Sequence, residues 1–183
     1  MNTKTIKGVI AVAAITLSTS AFAQNTIVGG EEMYTTKNII ENAVNSKDHT
    51  TLVAAVKAAG LVETLLGKGP FTVFAPTNDA FENLPEGTVA TLLKPENKAT
   101  LTKILTYHVV SGKLSTDDLK KQIKAGKGKA TLTTVSGNKL MAMMNGNNIM
   151  LKDENGHTAN ITVSDVKQSN GVIHVLDSVV TPK

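Results

Sequence analysis

The chain has 183 residues, no cysteine, no tryptophan and only 3% aromatic residues, and its nineteen basic residues are all lysines within a formal charge of +4. Without cysteine there are no disulfide staples, thiol catalysts or thiolate metal sites. Without arginine or scattered aromatic rings, specific nucleic-acid recognition loses its bidentate forks and stacking platforms, so no nucleic-acid partner is expected.

In chain order, Lys4 and Lys7 precede an apolar run from Gly8 to Leu17 and a small-residue end at Ala21-Phe22-Ala23. This is the layout of a secretory signal peptide over residues 1–23. The run is about half the roughly twenty residues a membrane span requires, so no transmembrane anchor is expected. The predicted destination is the periplasm or the extracellular cell surface. Residues 24–36 lack periodicity and read as a flexible leader. One domain follows over 37–183, a length that supports a core without disulfides.

Ile39, Ile40, Ala43 and Val44 form a helical stripe, and Leu52, Val53, Val56 and Ala59 form a second. A short helix over Leu61–Leu66 ends at Gly67 and Gly69. Phe71 to Pro76 reads as a strand, after which Thr77, Asn78 and Asp79 cap a turn that carries Ala80 and Phe81 inward. Helices are predicted over 86–93 and 96–106, with Leu101, Ile104, Leu105 and His108 on one face. A capped amphipathic helix covers 115–124. The period then changes to two: strands are predicted near 130–135, 139–144, 148–152, 157–164 and 171–180, with Asn-Gly turns between several of them.

The stretch Gly69-Pro70-Phe71-Thr72-Val73-Phe74-Ala75-Pro76-Thr77-Asn78-Asp79-Ala80-Phe81 resembles the first signature of the fasciclin (FAS1) family, and Asn170-Gly171-Val172-Ile173-His174-Val175-Leu176-Asp177-Ser178-Val179-Val180-Thr181-Pro182 resembles its second. Phe71, Phe74, Pro76, Thr77, Phe81, Gly171 and His174 are the structural positions of those signatures. The resemblance runs from about Asn38 to Pro182. It implies an α+β, mainly β fold: a wedge-shaped antiparallel β sandwich flanked by several helices. Animal members of the family carry adhesion-linked sequences around a Tyr-His pair and an Asp-Ile dipeptide. Tyr107-His108 matches the first, and Asp165-Val166 occupies the second with valine for isoleucine. These four residues are the candidate partner-binding positions that the resemblance implies.

His108 and His174 read first as hydrogen-bonded core residues, and His49 and His157 lack ligand spacing, so no metal site is expected from histidine. Met141, Met143, Met144 and Met150 fall within ten residues. Gap-filling inside the sandwich is the leading reading, ahead of a soft apolar patch for a lipid, pigment or partner and of a thioether site for Cu(I). Acidic pairs at Glu31-Glu32, Asp117-Asp118 and Asp153-Glu154 read as solvated or capping groups. The lysines from Lys113 to Lys129 read as a solvated face.

No nucleophile elbow, zinc-protease motif, phosphate loop or calcium loop is present, so neither enzymatic activity nor a cofactor is expected. The function expected is that of a secreted, non-catalytic adhesion module at the cell surface, matrix or biofilm. Its partner would be an extracellular or envelope protein or a polysaccharide, with self-association or many copies supplying strength. The alternative is a carrier of a small apolar ligand, a lipid or a pigment such as a carotenoid.

Overall fold

The computed structural model describes residues 25–183. The expected signal peptide lies outside them. A hairpin of β1 (Thr26–Val28) and β2 (Glu31–Met33) leads into α1 (Ile39–Ala43), α2 (Thr50–Ala59) and α3 (Val62–Leu66). The rings of β3 (Phe71–Pro76) come next, then α4 (Asn78–Glu82), α5 (Thr88–Leu92), α6 (Lys98–Tyr107), β4 (Val109–Ser111) and α7 (Thr116–Ala125). A meander of β5 (Lys129–Thr133), β6 (Lys139–Asn145), β7 (Asn148–Lys152), β8 (Thr158–Gln168) and β9 (Gly171–Leu176) completes the chain.

The sheet is mixed: one parallel pair joins the otherwise antiparallel strands that the resemblance implied. Seven strands lie in the order β4-β3-β9-β8-β7-β6-β5. β3 and β9, the two signature strands, pair in parallel with Phe74 beside His174. Parallel neighbours need a long crossover, and here the helices and the whole meander provide it. A bridge between Val110 and Thr134, with Val135 N–H donating to the Val109 carbonyl at 2.7 Å, brings the two sheet ends together so that the sheet nearly closes on itself.

Alternation along the strands splits the interior into two cores. Val73, Ala75, Ile173 and Val175 face α1–α6, joined by Phe81, Leu101 and Leu105. Phe74 faces the other way, with Tyr107, Leu140, Ala142, Leu151 and Leu176, and Leu119 and Ile123 of α7 plug this second core. The aromatic rings that the sequence concentrates in one segment are therefore shared between the cores, and burial of each contributes about 1.5–3 kcal/mol.

The N-terminal stretch differs from the flexible leader expected over 24–36. Gly29 and Gly30 both take positive φ, 61° and 76°, which is the backbone a tight two-residue hairpin requires. Val28 and Met33 on either side of the turn are buried in the helix-side core. Turn chemistry forms this element, and its three-residue strands are too short to show a period. The strand β4 was likewise not expected, and β8 runs four residues past its predicted end to Gln168.

Candidate functional site

α6 ends at Tyr107 with His108 as its C-terminal cap, and the chain entering β4 carries both side chains into the interior. Tyr107 is fully buried, and its hydroxyl donates to the Lys139 carbonyl at 2.7 Å. Burial pushes its phenol up to about 12. His108 is 2% exposed. Its Nδ1 lies 2.9 Å from the Ile104 carbonyl, to which it donates, and its Nε2 accepts the Val180 N–H at 3.3 Å. Burial pushes the imidazole down to about 4, against a smaller opposing effect of the Ile104 hydrogen bond, so the ring is neutral.

The Asp-Ile-like position is built differently. Asp165 sits at an irregular stretch of β8, with φ 58° and within the register shift between Val163 and Val166. Its carboxylate accepts the Thr116 N–H at 2.8 Å at the start of α7, and its own N–H donates to His174 Nδ1 at 3.3 Å. Val166 is 1% exposed and belongs to the helix-side core. Burial weighs against Tyr107, His108 and Val166 meeting a partner directly. Of the four candidates only Asp165 reaches the surface, and its carboxylate is already engaged.

The two candidate motifs are linked through the interior. The His108 carbonyl accepts the Phe74 N–H at 2.9 Å, and the Phe74 ring stacks on His174 with centroids 5.6 Å apart and planes at 25°. His174 then donates from Nε2 to the Leu114 carbonyl at 2.8 Å while Nδ1 accepts from Asp165. Both nitrogens are used, and burial holds this imidazole below its ordinary value. This arrangement is a scaffold and offers no acid or base to a substrate.

Other structural polar residues escaped the sequence reading. Asn170 is buried and accepts from Ile39 N–H at 3.0 Å, while its amide donates to the Leu65 and Gly67 carbonyls at 2.8 and 3.0 Å. Asp153, expected in a solvated turn, is 6% exposed and accepts from the backbone of Asn155, His157 and Thr181. Burial alone would raise its carboxyl, but the hydrogen bonds from Thr181 and His157 together outweigh that and hold it below the usual carboxylate range. An Asp followed by Asn-Gly was the available signal for such a turn.

The methionines also lie elsewhere than expected. Met141, Met143 and Met150 alternate with the buried Leu140, Ala142, Ile149 and Leu151 and therefore point to the outer face of β6 and β7. They belong to neither core, and Met144 at the end of β6 is 39% exposed. Nor do they line the apolar crevice of ≈ 80 Å³ between α1, α2, α3 and β3, whose walls include Leu52, Val56, Leu65 and Val73. That volume is below the roughly 150 Å³ that accepts one benzene ring.

Among the described residues no group of His, Cys, Asp and Glu is clustered to hold a metal ion. No described helix is long and apolar enough to cross a membrane.

Comparison with known proteins agrees with this architecture. The family model for the Fasciclin domain matches residues 47–182. Protein sll1483 of Synechocystis is 47% identical over 144 residues, covering 79% of this chain and 73% of its own. Immunogenic protein MPB70 of Mycobacterium bovis is 35% identical over 76% of this chain and 66% of its own. Among solved structures, a FAS1 domain pair from the insect cell adhesion molecule Fasciclin I superposes with a TM-score of 0.69 at 17% identity, covering 78% of this chain and 50% of that one. The chain belongs to the fasciclin domain family.

Proposed function

We propose that the protein is an exported, non-catalytic adhesion module that binds an extracellular or envelope protein or polysaccharide, with strength gained from many copies. The observation that carries this reading is that the imidazoles of the Tyr-His pair and of the second signature are consumed inside the fold. His108 and His174 have both nitrogens hydrogen-bonded and are at most 2% exposed, which leaves the surface as the part of the molecule able to act. The family relationship supports it, since a structural neighbour is part of a cell adhesion molecule. The carrier reading receives no comparable support: it calls for an apolar pocket of at least about 300 Å³, whereas the aliphatic crevice encloses ≈ 80 Å³ and the open depression of ≈ 450 Å³ beside α7 and β5 is lined by Gln122, Lys129 and Thr131.

The test is retention of host envelope material on the immobilised protein, coupled with the absorption spectrum and extractable lipid of protein purified from its native host. Retention of a defined envelope component by a colourless, lipid-free preparation is expected. A coloured or stoichiometrically lipid-loaded preparation, or no retention at all, would overturn the proposal.

A further inference from the structure

The outer face of the β5–β7 meander is a surface that neither packing nor strand preference accounts for. Residues on this face of an antiparallel sheet are ordinarily polar or β-branched. Lys129, Thr131, Lys139, Asn148 and Lys152 fit that pattern, but Met141, Met143 and Met150 stand among them. Helices α1–α6 cover the β3 and β9 part of the sheet, and α7 packs against the opposite, inner side through Leu119 and Ile123. Thioethers with no core to fill are thus gathered on a face that none of the described helices covers.

Register brings them together. Met143 is directly opposite Met150 across β6 and β7. Met141 lies two residues along β6 on the same side, diagonal to Met150. Side chains in such positions have Cβ atoms roughly 4.5–5.5 Å apart when opposite and about 7–8 Å when diagonal. Methionine is unbranched, and rotation about its Cα–Cβ and Cβ–Cγ bonds swings the sulfur freely, so three sulfurs at these spacings can converge on one point. All three are half-buried, so they are partly desolvated and still reachable from solvent. At one end, Asn145 donates to Asn160 at 3.0 Å and joins β6 to β8 across the intervening strand.

We infer that Met141, Met143 and Met150 form a binding site for a soft monovalent metal ion, Cu(I), with Ag(I) as its chemical surrogate. Thioether sulfur is a soft, uncharged donor that selects Cu(I) over hard divalent ions. On β5–β7 this face carries no carboxylate or imidazole that would hold calcium, magnesium or zinc, and the Asp177 carboxylate beyond it is taken up by the N–H and side-chain amide of Asn160, the β8 partner of Met150. Lys129 and Lys152, opposite Met143 and Met141 on the neighbouring strands, oppose a cation only weakly, because ammonium groups in water are screened and sit on flexible stems. Their charges add to the discrimination against divalent ions. This inference stands apart from the adhesion reading and survives its failure.

The experiment titrates the folded chain with Cu(I) under anaerobic conditions in competition with a chromophoric Cu(I) chelator, and follows the methionine methyl resonances of the isotopically labelled protein as Ag(I) is added. One equivalent is expected to bind. The methyl signals of Met141, Met143 and Met150 should shift together, while that of the buried Met33 stays in place. Each single Met→Leu substitution should weaken binding about tenfold or more, and the triple substitution should abolish it. Leucine is close in volume and these positions lie outside both cores, so melting should hardly change. Unchanged affinity in the triple variant, methyl shifts spread over all methionines, or equal binding of Zn(II) would overturn the site. If the triple variant fails to fold, Met143→Leu and the wild-type methyl shifts decide the question.

Discussion

Val180 N–H donates to His108 Nε2 across 72 positions of sequence, so the C-terminal segment is held by an imidazole that must remain neutral. An unfolded chain takes up a proton on histidine near 6.5, whereas the buried ring of His108 resists protonation down to about 4. Between those values the unfolded state binds more protons, and stability falls as acid is added. The contribution is complete above about pH 6.5 and declines toward pH 4, by about 3 kcal/mol for His108 alone. His49 and His174, also lowered by burial, act in the same direction. Asp153, whose carboxyl is lowered, loses its contribution only as pH falls through its folded value, below the ordinary 3.8. Urea unfolding midpoints should therefore be flat above neutrality and drop steeply between pH 6 and 4. A midpoint unchanged down to pH 4.5 would contradict the neutral-imidazole account.

The same geometry separates structural from recognition roles for the Tyr-His pair. His108→Ala removes two hydrogen bonds, leaves the Ile104 carbonyl and the Val180 N–H without partners and opens a void. A loss of about 3 kcal/mol is expected, or roughly 6–12 °C in Tm for a domain of this length. Tyr107→Phe leaves the Lys139 carbonyl unpaired and should cost about 1–2 kcal/mol. Retention of envelope material, measured well below the melting temperature of each variant, should be unchanged. Normal melting with lost retention would place the pair in recognition after all.

The turn between β8 and β9 is a tight junction of the fold. A methyl group on Gly171 would stand 2.1 Å from the Phe71 carbonyl oxygen and 3.1 Å from Ile39 Cδ1. The obstacle is backbone of the paired parallel strand, which cannot rotate aside. Gly171→Ala should cost about 3 kcal/mol or more, or prevent soluble expression. Asn170→Asp is a sharper probe than Asn170→Ala. It keeps an acceptor for Ile39 N–H but turns a carboxylate oxygen toward the Leu65 and Gly67 carbonyls. It should destabilise at least as much as alanine when thermal melts at pH 7 are compared, and a milder effect would show that the amide orientation is immaterial.

Local pattern made most elements legible. The stripe that ends in His108 placed that ring inside, and the alternation after Lys129 announced the meander. Parallel pairing of Phe71–Pro76 with Gly171–Leu176 was not legible, because nothing within either strand specifies a partner a hundred residues away. The methionine face was ambiguous for a different reason. In Leu140-Met141-Ala142-Met143 both parities are apolar, so the direction is fixed only by Ala130, Leu132, Ile149 and Leu151 on the neighbouring strands. The Tyr-His pair shows the reverse limit: the periodicity that put His108 on a buried stripe already weighed against a partner touching it.

Gly29 offers the last test, and it bears on whether the N-terminal hairpin belongs to the folded unit. Its φ of 61° is strained for any other residue, and an added Cβ would lie 2.5 Å from Ser46 Oγ and 2.8 Å from the Asp48 backbone nitrogen. The Ser46 hydroxyl is also the partner of His49 Nδ1 at 2.8 Å, so it cannot swing away without freeing a buried ring. Gly29→Ala should therefore lift the hairpin and expose Val28 and Met33, costing about 2–3 kcal/mol. The neighbouring Gly30 also has positive φ but open space around its Cα, so Gly30→Ala should cost less, about 1 kcal/mol from backbone strain alone. Hydrogen exchange would localise the loss, with protection falling first in 26–33 and then in α1. Equal effects from the two substitutions, or none, would return residues 25–36 to the role of a loose leader that the core does not need.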